Sequence, residues 1–230
     1  MLLLTGDIHG ELNRIMDIDD FGMTKDDVLL VCGDFGFVWS NEEVAKNYLR
    51  QISTKNFQVA FIDGNHENFP LIAKMEIIKE WNDGRVGMLP YGIIHLLRSE
   101  VYCIENKKIG VCGGADSIDR SKRVNGISWW EEEMITPEQT NKLIHNVYEN
   151  YNGHLDIMLT HDCPTEALQL LGVFYPSIFE WIVQENTSRR ELDKIEAAIP
   201  AIDKWFFGHH HIDKYLGSKY RALYTDIIQL

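Results

Sequence analysis

The 230-residue sequence contains no run of roughly 18 apolar residues, which excludes a helical membrane span. Cysteine is scarce. Its four residues, Cys32, Cys103, Cys112 and Cys163, are too scattered for the paired spacing of a structural zinc site. The opening "MLLLTGDIHG" is too short, and lacks the basic start, to be a secretory signal. The thiols are therefore read as reduced, a chain of this length needs no disulfide scaffold, and the expected location is the cytoplasm. Positive charge is also in short supply. Twenty-two Lys and Arg stand against 35 Asp and Glu, for a net charge of −13. With no long basic tract, the overall field repels polyanions and disfavours a broad nucleic-acid surface, while leaving room for a small anion in a locally positive pocket. Linkers, repeats and low-complexity segments are absent as well, so residues 1–230 read as one domain.

What is present is an ordinary globular composition, 45% apolar and 25% charged. Short apolar runs alternate with longer amphipathic stretches, the pattern of an α/β domain. Strands are expected at Leu2–Thr5, Val28–Cys32, Val59–Ile62, Ile93–Leu97, Val101–Ile104, Ile109–Cys112, Ile157–Thr160 and Trp205–Phe207. Helices are expected at Glu42–Ser53, Phe69–Glu80, Pro137–Tyr151 and Arg189–Ala198, with a closing hairpin that turns at Gly217-Ser218. The crowding of three short strands between Ile93 and Cys112 implies two sheets, parallel in part and antiparallel in part.

The first strand runs into Gly6-Asp7-Ile8-His9-Gly10. Residues two apart on a strand face the same way, so Asp7 and His9 point together. Such a pair needs either solvent and hydrogen bonds or a metal ion, and one occurrence does not decide between them. The pattern then recurs. Asp34 follows the second strand in "LLVCGDFG", Asn65-His66-Glu67 the third in "VAFIDGNHE", His161 a later one in "IMLTHDCP", and His209 and His211 another in "KWFFGHHHID". In an α/β sheet the carboxyl ends of strands form the crevice where ligands bind, so these side chains should converge. Carboxylate, imidazole and amide oxygen without thiolate suit Mn²⁺, Fe²⁺, Co²⁺ or Zn²⁺. Seven candidate ligands exceed the needs of one ion and suit two that share a carboxylate.

The ordered segments GDxH, GD, GNHE, H and GHxH, spanning residues 6 to 211, resemble the calcineurin-like metallophosphoesterase superfamily. The resemblance implies a four-layer α/β/β/α sandwich with two mixed β-sheets. It implies that Asp7, His9 and His211 hold one divalent ion, that Asn65, His161 and His209 hold another, and that Asp34 bridges them. The ions would be two Mn²⁺ in the first instance, with Fe, Zn, Co or Ni as other choices. His66 would be the proton donor, and Glu67 could steady its imidazole. The implied chemistry is hydrolysis of a phosphate ester by direct attack of metal-bound hydroxide, without a covalent enzyme intermediate.

Histidines outside these motifs, His95, His145 and His154, read as packing residues. His210, between two candidate ligands, should turn the other way. The segment "GGADSIDRSKRVNGISWW" resembles the "SWW" loop of bacterial and phage-type members of the superfamily, and it carries two readings of equal weight. In one it covers the metal site, with Arg120 or Arg123 gripping a phosphate and Trp129 or Trp130 stacking on a base. In the other it is a solvated loop pinned by two buried tryptophans. Protein serine/threonine phosphatases carry GDYVDRG and an Arg just before GNHE, where this chain has "GDFGFVW" and Asp63. Two phosphate-gripping arginines are thus missing. The expected substrate is a nucleotide or nucleic-acid phosphodiester, with a phosphomonoester, including a phosphoprotein, as the alternative. A non-catalytic scaffold of the same fold is a further alternative.

Overall fold

The β-branched and Leu-rich runs that are too short for helices pair into two sheets in the computed structural model, which describes residues 1–178 and 186–230. Strands β1 (Leu2–Thr5), β2 (Val28–Val31) and β3 (Gln58–Phe61) lie parallel, with Leu3 beside Leu29 and Leu29 beside Val59. β6 (Ile94–Leu96) adds to β3 in parallel, followed in antiparallel order by β5 (Gly84–Met88) and β4 (Ile77–Trp81), while β13 (Ile228–Gln229) closes the opposite edge antiparallel to β1. In the second sheet β8 (Lys107–Cys112), β9 (His154–Thr160), β10 (Ala201–Phe207) and β12 (Tyr220–Ala222) are parallel to their neighbours. β7 (Val101–Ile104) and β11 (Lys214–Leu216) flank them antiparallel.

Both faces of the central strands of each sheet are buried, and strand alternation divides the side chains between them. Leu2 and Leu4 of β1 meet Val111, Ile157, Leu159 and Phe206 of the facing sheet. Leu3 turns outward, to a cluster that includes Ile15 of α1 (Asn13–Met16), Ala45, Leu49 and Ile52 of α2 (Glu42–Ile52) and Ile72 of α3 (Phe69–Met75). On the far side Leu155, Met158, Trp205 and Phe207 pack with Leu143 of α4 (Pro137–Tyr151), Leu168 of α5 (Thr165–Phe174) and Leu192 of α6 (Thr187–Ala198). Four layers result, helices outside and two mixed sheets inside, as the resemblance implies. Helix ends follow local chemistry. Thr136 and Gln139 form a capping box around Pro137 at the start of α4. Asn41 accepts the Val44 N–H at the start of α2.

The helix expected at Phe69–Glu80 is corrected by the structure: it stops at Met75, and Ile77–Trp81 is β4. The reason lies just downstream. Asn82 and Asp83 adopt φ of 46° and 70°, the left-handed pair of a two-residue hairpin turn, and Trp81 pairs with Gly84 across it. The closing hairpin at Gly217-Ser218 forms as expected, with Leu216 opposite Tyr220. α5 was not read from the sequence, and α6 starts two residues early because Asn186 caps it through the Arg189 N–H. No helix among the described residues is long and apolar enough to cross a membrane. All four cysteines are free.

His95, as expected, is a packing residue, and it also carries charge. Its ring stacks on Phe61 and lies between Glu76 (Nδ1 to Oε2, 2.8 Å) and Asp63 (Nε2 to Oδ1, 3.4 Å). Asp63 in turn takes the Arg98 guanidinium, which also donates to the carbonyl oxygens of Glu132 and Met134. The residue just before GNHE therefore anchors β3 to a distant loop. Burial opposes the charge on His95, but the two carboxylates outweigh it and raise its pKa to about 9. A raised histidine pKa contributes stability that is complete below the unfolded value of 6.5 and lost as pH climbs through about 9. Wild-type protein should lose roughly 3 kcal/mol from this linkage over that window. His95→Gln should flatten the urea-unfolding stability curve between these pH values, and an unchanged slope would contradict the assignment.

Candidate metal centre

Five strands of the two sheets end at one crevice, and each delivers its polar residues just after its last apolar one. Asp7 and His9 follow β1, Asp34 follows β2, Asn65 follows β3, His161 follows β9, and His209 and His211 follow β10. His9, Asp34, His209 and His211 have φ of 50°, 47°, 65° and 53°, a left-handed conformation costing about 1–3 kcal/mol per non-glycine residue. Hydrogen bonds hold these turns. The Asp34 carbonyl accepts the N–H groups of Ile8 and His9 at 3.1 and 2.7 Å. The His209 N–H donates to both oxygens of the Asp7 carboxylate at 3.0 and 3.1 Å.

The glycines of the motifs are there to let ligands approach. A Cβ on Gly33 would lie 2.1 Å from His161 Nδ1, and one on Gly64 would lie 2.1 Å from Asp34 Oδ1. Neither position has room for a side chain.

The donor atoms converge. One from each of Asp7, His9 and His211 lie within 4.8 Å of one another, and so do one from each of Asp7, Asp34 and His161. His161 Nε2 is 3.3 Å from Asp34 Oδ2 and 3.2 Å from Asn65 Oδ1, which brings the amide oxygen into the second group. Asp34 Oδ2 is also 3.7 Å from His9 Nε2, so this carboxylate lies between the two groups. The resemblance assigned Asp7 to one ion alone, whereas its Oδ1 is 3.8 Å from both His211 and His161. His161 Nδ1 lies 2.8 Å from the Cys32 carbonyl. An N–H there orients the ring and aims Nε2 at the crevice. The His211 ring stacks on Tyr224 at 4.6 Å.

The electrostatics of this cluster call for added positive charge. Burial lifts the Asp7 carboxyl to about 7. Burial opposes protonation of His161, but Asp34 and Asp7 outweigh it and raise its pKa to about 10. Burial would likewise raise Asp34, yet the surrounding imidazoles, His161 foremost, hold it below the usual carboxylate range. Burial pushes His209 down to about 3, keeping it neutral with a free lone pair. A buried set of carboxylate, neutral imidazole and amide oxygen fits a divalent ion of the borderline-to-hard kind.

A cavity of about 360 Å³ opens over the cluster, lined by Asp34, Asn65, His66, Arg123, His209 and His211 among others. The His66 N–H donates to Asp34 Oδ1 at 2.8 Å, and its Nε2 is 3.0 Å from an Arg123 nitrogen. Arg123 is itself steered by Asp119 at 2.6 Å. The two candidate arginines therefore separate. Arg123 reaches the cavity, whereas Arg120 is exposed and caps the Trp129 ring at 3.9 Å.

Trp129 and Trp130 are buried, which corrects the base-stacking reading of both. The loop combines the two sequence readings, pinned by its tryptophans and contributing Arg123 to the cavity. Glu67 does not steady His66: its Oε1 accepts the Phe35 N–H at 2.7 Å, and burial raises its pKa to about 8. His210 turns, as expected, to a different partner, with Nε2 3.1 Å from Asp162 Oδ1. Trp39, in the stretch read only for its missing arginines, joins His9, Gly36 and His66 in lining an adjoining cavity. Its signal was the last of three aromatics in Phe35-Gly36-Phe37-Val38-Trp39, indistinguishable in the sequence from the two core phenylalanines before it.

A family model described as calcineurin-like phosphoesterase matches residues 1–213. The lariat debranching enzyme of Drosophila melanogaster is 27% identical over 192 residues, a match covering 71% of this chain and 33% of that protein. The chain thus spans about a third of that relative's length. The crystal structure of TT1561 of Thermus thermophilus superimposes with a TM-score of 0.50 at 9% identity, covering 97% of this chain and 89% of that one. At that identity the likeness is one of fold.

Proposed function

The chain belongs to the calcineurin-like phosphoesterase family, a hydrolase of phosphate esters that uses divalent metal ions, and from that premise we propose a dinuclear phosphodiesterase acting on a nucleotide or nucleic-acid ester. The observation that carries this reading is the approach of the Asp7, His9, His161 and His211 donor atoms and the Asn65 amide oxygen to one another around Asp34, with His209 lining the same cavity. Asp7, His9 and His211 would hold one ion, Asn65, His161 and His209 the other, and Asp34 would face both. Two such ions, with Mn²⁺ as our first choice among the metals this donor set suits, would acidify water to a neutral-pH nucleophile and neutralise charge on phosphate oxygens.

The remaining steps fall to the chain's own groups. Arg123 orients the phosphate through its fork of donors. His66 delivers a proton to the leaving oxygen. In the free site Arg123 occupies His66 Nε2, so a phosphate that draws the guanidinium to itself releases that nitrogen for the leaving group. Burial lowers the His66 pKa, and an anionic phosphate beside it works in the opposite sense.

The diester preference rests on charge. Arg123 is the only Lys or Arg among the described residues lining the cavity, and the chain's net charge is −13. One fixed cation matches a singly charged diester better than a dianion. The likeness to an enzyme named for debranching lariats points the same way. Mn²⁺-loaded protein should bind about two ions per chain and cleave bis-aryl phosphate with a kcat/KM at least equal to that for the aryl monoester. A monoester preference beyond about tenfold, or roughly 1.4 kcal/mol, would replace the diester reading with a phosphomonoesterase.

A further inference from the structure

Next to the phosphate cavity lies a second one of about 270 Å³, lined by His9, Gly36, Trp39 and His66. His66 borders both cavities. A phosphate beside Asp34 and Arg123 occupies the first, and its leaving oxygen must face His66 to receive a proton. The group attached to that oxygen then extends past His66 into the second cavity. None of the four residues lining it carries a fixed cation, in contrast to the Arg123 side, so what it accepts there is uncharged.

From this arrangement we infer that Trp39 is a specificity residue, the surface on which the base of a leaving nucleoside stacks; the inference rests on the phosphoesterase reading above. Trp39 is 36% exposed, an unfavourable position for a large apolar ring that nothing forces outward. It is held there. Trp130, itself buried, packs against it at 86° with ring centroids 5.6 Å apart, and Asn68 Nδ2 donates to its carbonyl at 2.6 Å. A π surface fixed in advance loses little entropy when a base settles on it, and stacking of this kind tolerates any base. The loop that carries Arg123 thus serves both halves of the substrate: Arg123 meets the phosphate, and Trp130 backs the ring that meets the base. Bases reach Trp39 rather than Trp129 because Arg120 covers the Trp129 ring.

The test is equilibrium binding to Mn²⁺-loaded protein, which needs no turnover. Two ligands are compared by calorimetry: the 5′-phosphonate isostere of adenosine monophosphate, whose P–C bond is not hydrolysed, and methylphosphonate, which has no base. Wild-type protein should favour the adenosine compound by about 10- to 100-fold, the range of one stacked base. Trp39→Leu keeps apolar bulk without the π face and should reduce the preference to about twofold or less, with methylphosphonate affinity unchanged as the control for an intact site. Trp39→Phe should keep most of the preference. Equal wild-type affinities, no binding of either ligand, or a preference that survives in Trp39→Leu would overturn the inference. Failure of the underlying reading looks different: neither bis-aryl phosphate nor aryl monoester is turned over, while base preference and its dependence on Trp39 persist.

Discussion

Asp34→Ala should strip the site of metal at both positions and lower kcat/KM by about 10³-fold or more. The magnitude follows from losing several kcal/mol of charge stabilisation at roughly 1.4 kcal/mol per decade of rate. Asp34 meets His161 of one ligand group and His9 of the other, at 3.3 and 3.7 Å. Asp7 also faces both groups, with Oδ1 3.8 Å from His161 and from His211, but its oxygens already share the His209 N–H and it is itself needed as a ligand. The chain should still fold. The Asp34 carbonyl that secures Ile8 and His9 is retained in the variant, and the carboxylate interactions lost are the bond from the His66 N–H and the contact with His161 Nε2. Asp34→Asn separates charge from shape: its amide oxygen can still accept that N–H, so loss of metal there reports charge alone. Elemental analysis and circular dichroism on both variants check the outcome. Two ions per chain in Asp34→Ala would remove this residue from the bridging position.

The strands that carry the ligands were legible because four of the five, all but the one before His161, are short apolar runs broken by a Gly and a polar residue, as in Gly33-Asp34 and Gly64-Asn65. Steric necessity writes that signature, since the glycine makes room for a ligand from another strand. The hairpin of β4 and β5 was less legible. Ile77 and Ile78 continue the apolar spacing of the helix before them, and only the left-handed turn at Asn82-Asp83, set by tertiary pairing, makes them a strand. Arg120 and Arg123 could not be told apart, because an irregular loop has no period from which to infer facing. Asp119 decides the matter by turning Arg123 inward. Asp63 read only as a missing arginine, whereas in three dimensions it holds Arg98 and His95.

His66→Asn should slow the hydrolysis of esters with poor leaving groups by about 10²–10⁴-fold, the usual worth of a general acid, and should leave metal content unchanged. The backbone N–H that holds residue 66 to Asp34 survives the substitution, so the ligand geometry of Asp34 is preserved. What is lost is the ring nitrogen that faces Arg123 and the cavity. The size of the loss should depend on the substrate. An alkoxide leaving group cannot depart at neutral pH without a proton, whereas a nitrophenolate departs nearly unaided. A plot of log kcat/KM against leaving-group pKa should therefore be shallow for wild type and steep for the variant, with the two lines converging at activated aryl esters. Parallel lines, an equal loss on every substrate, would mean that His66 positions the phosphate or the ions and that the leaving group draws its proton from elsewhere. Arg123→Ala supplies the contrast. It takes a phosphate-orienting group from the same cavity, so it should lower every ester's kcat/KM by a similar factor and leave the slope of the plot as in wild type.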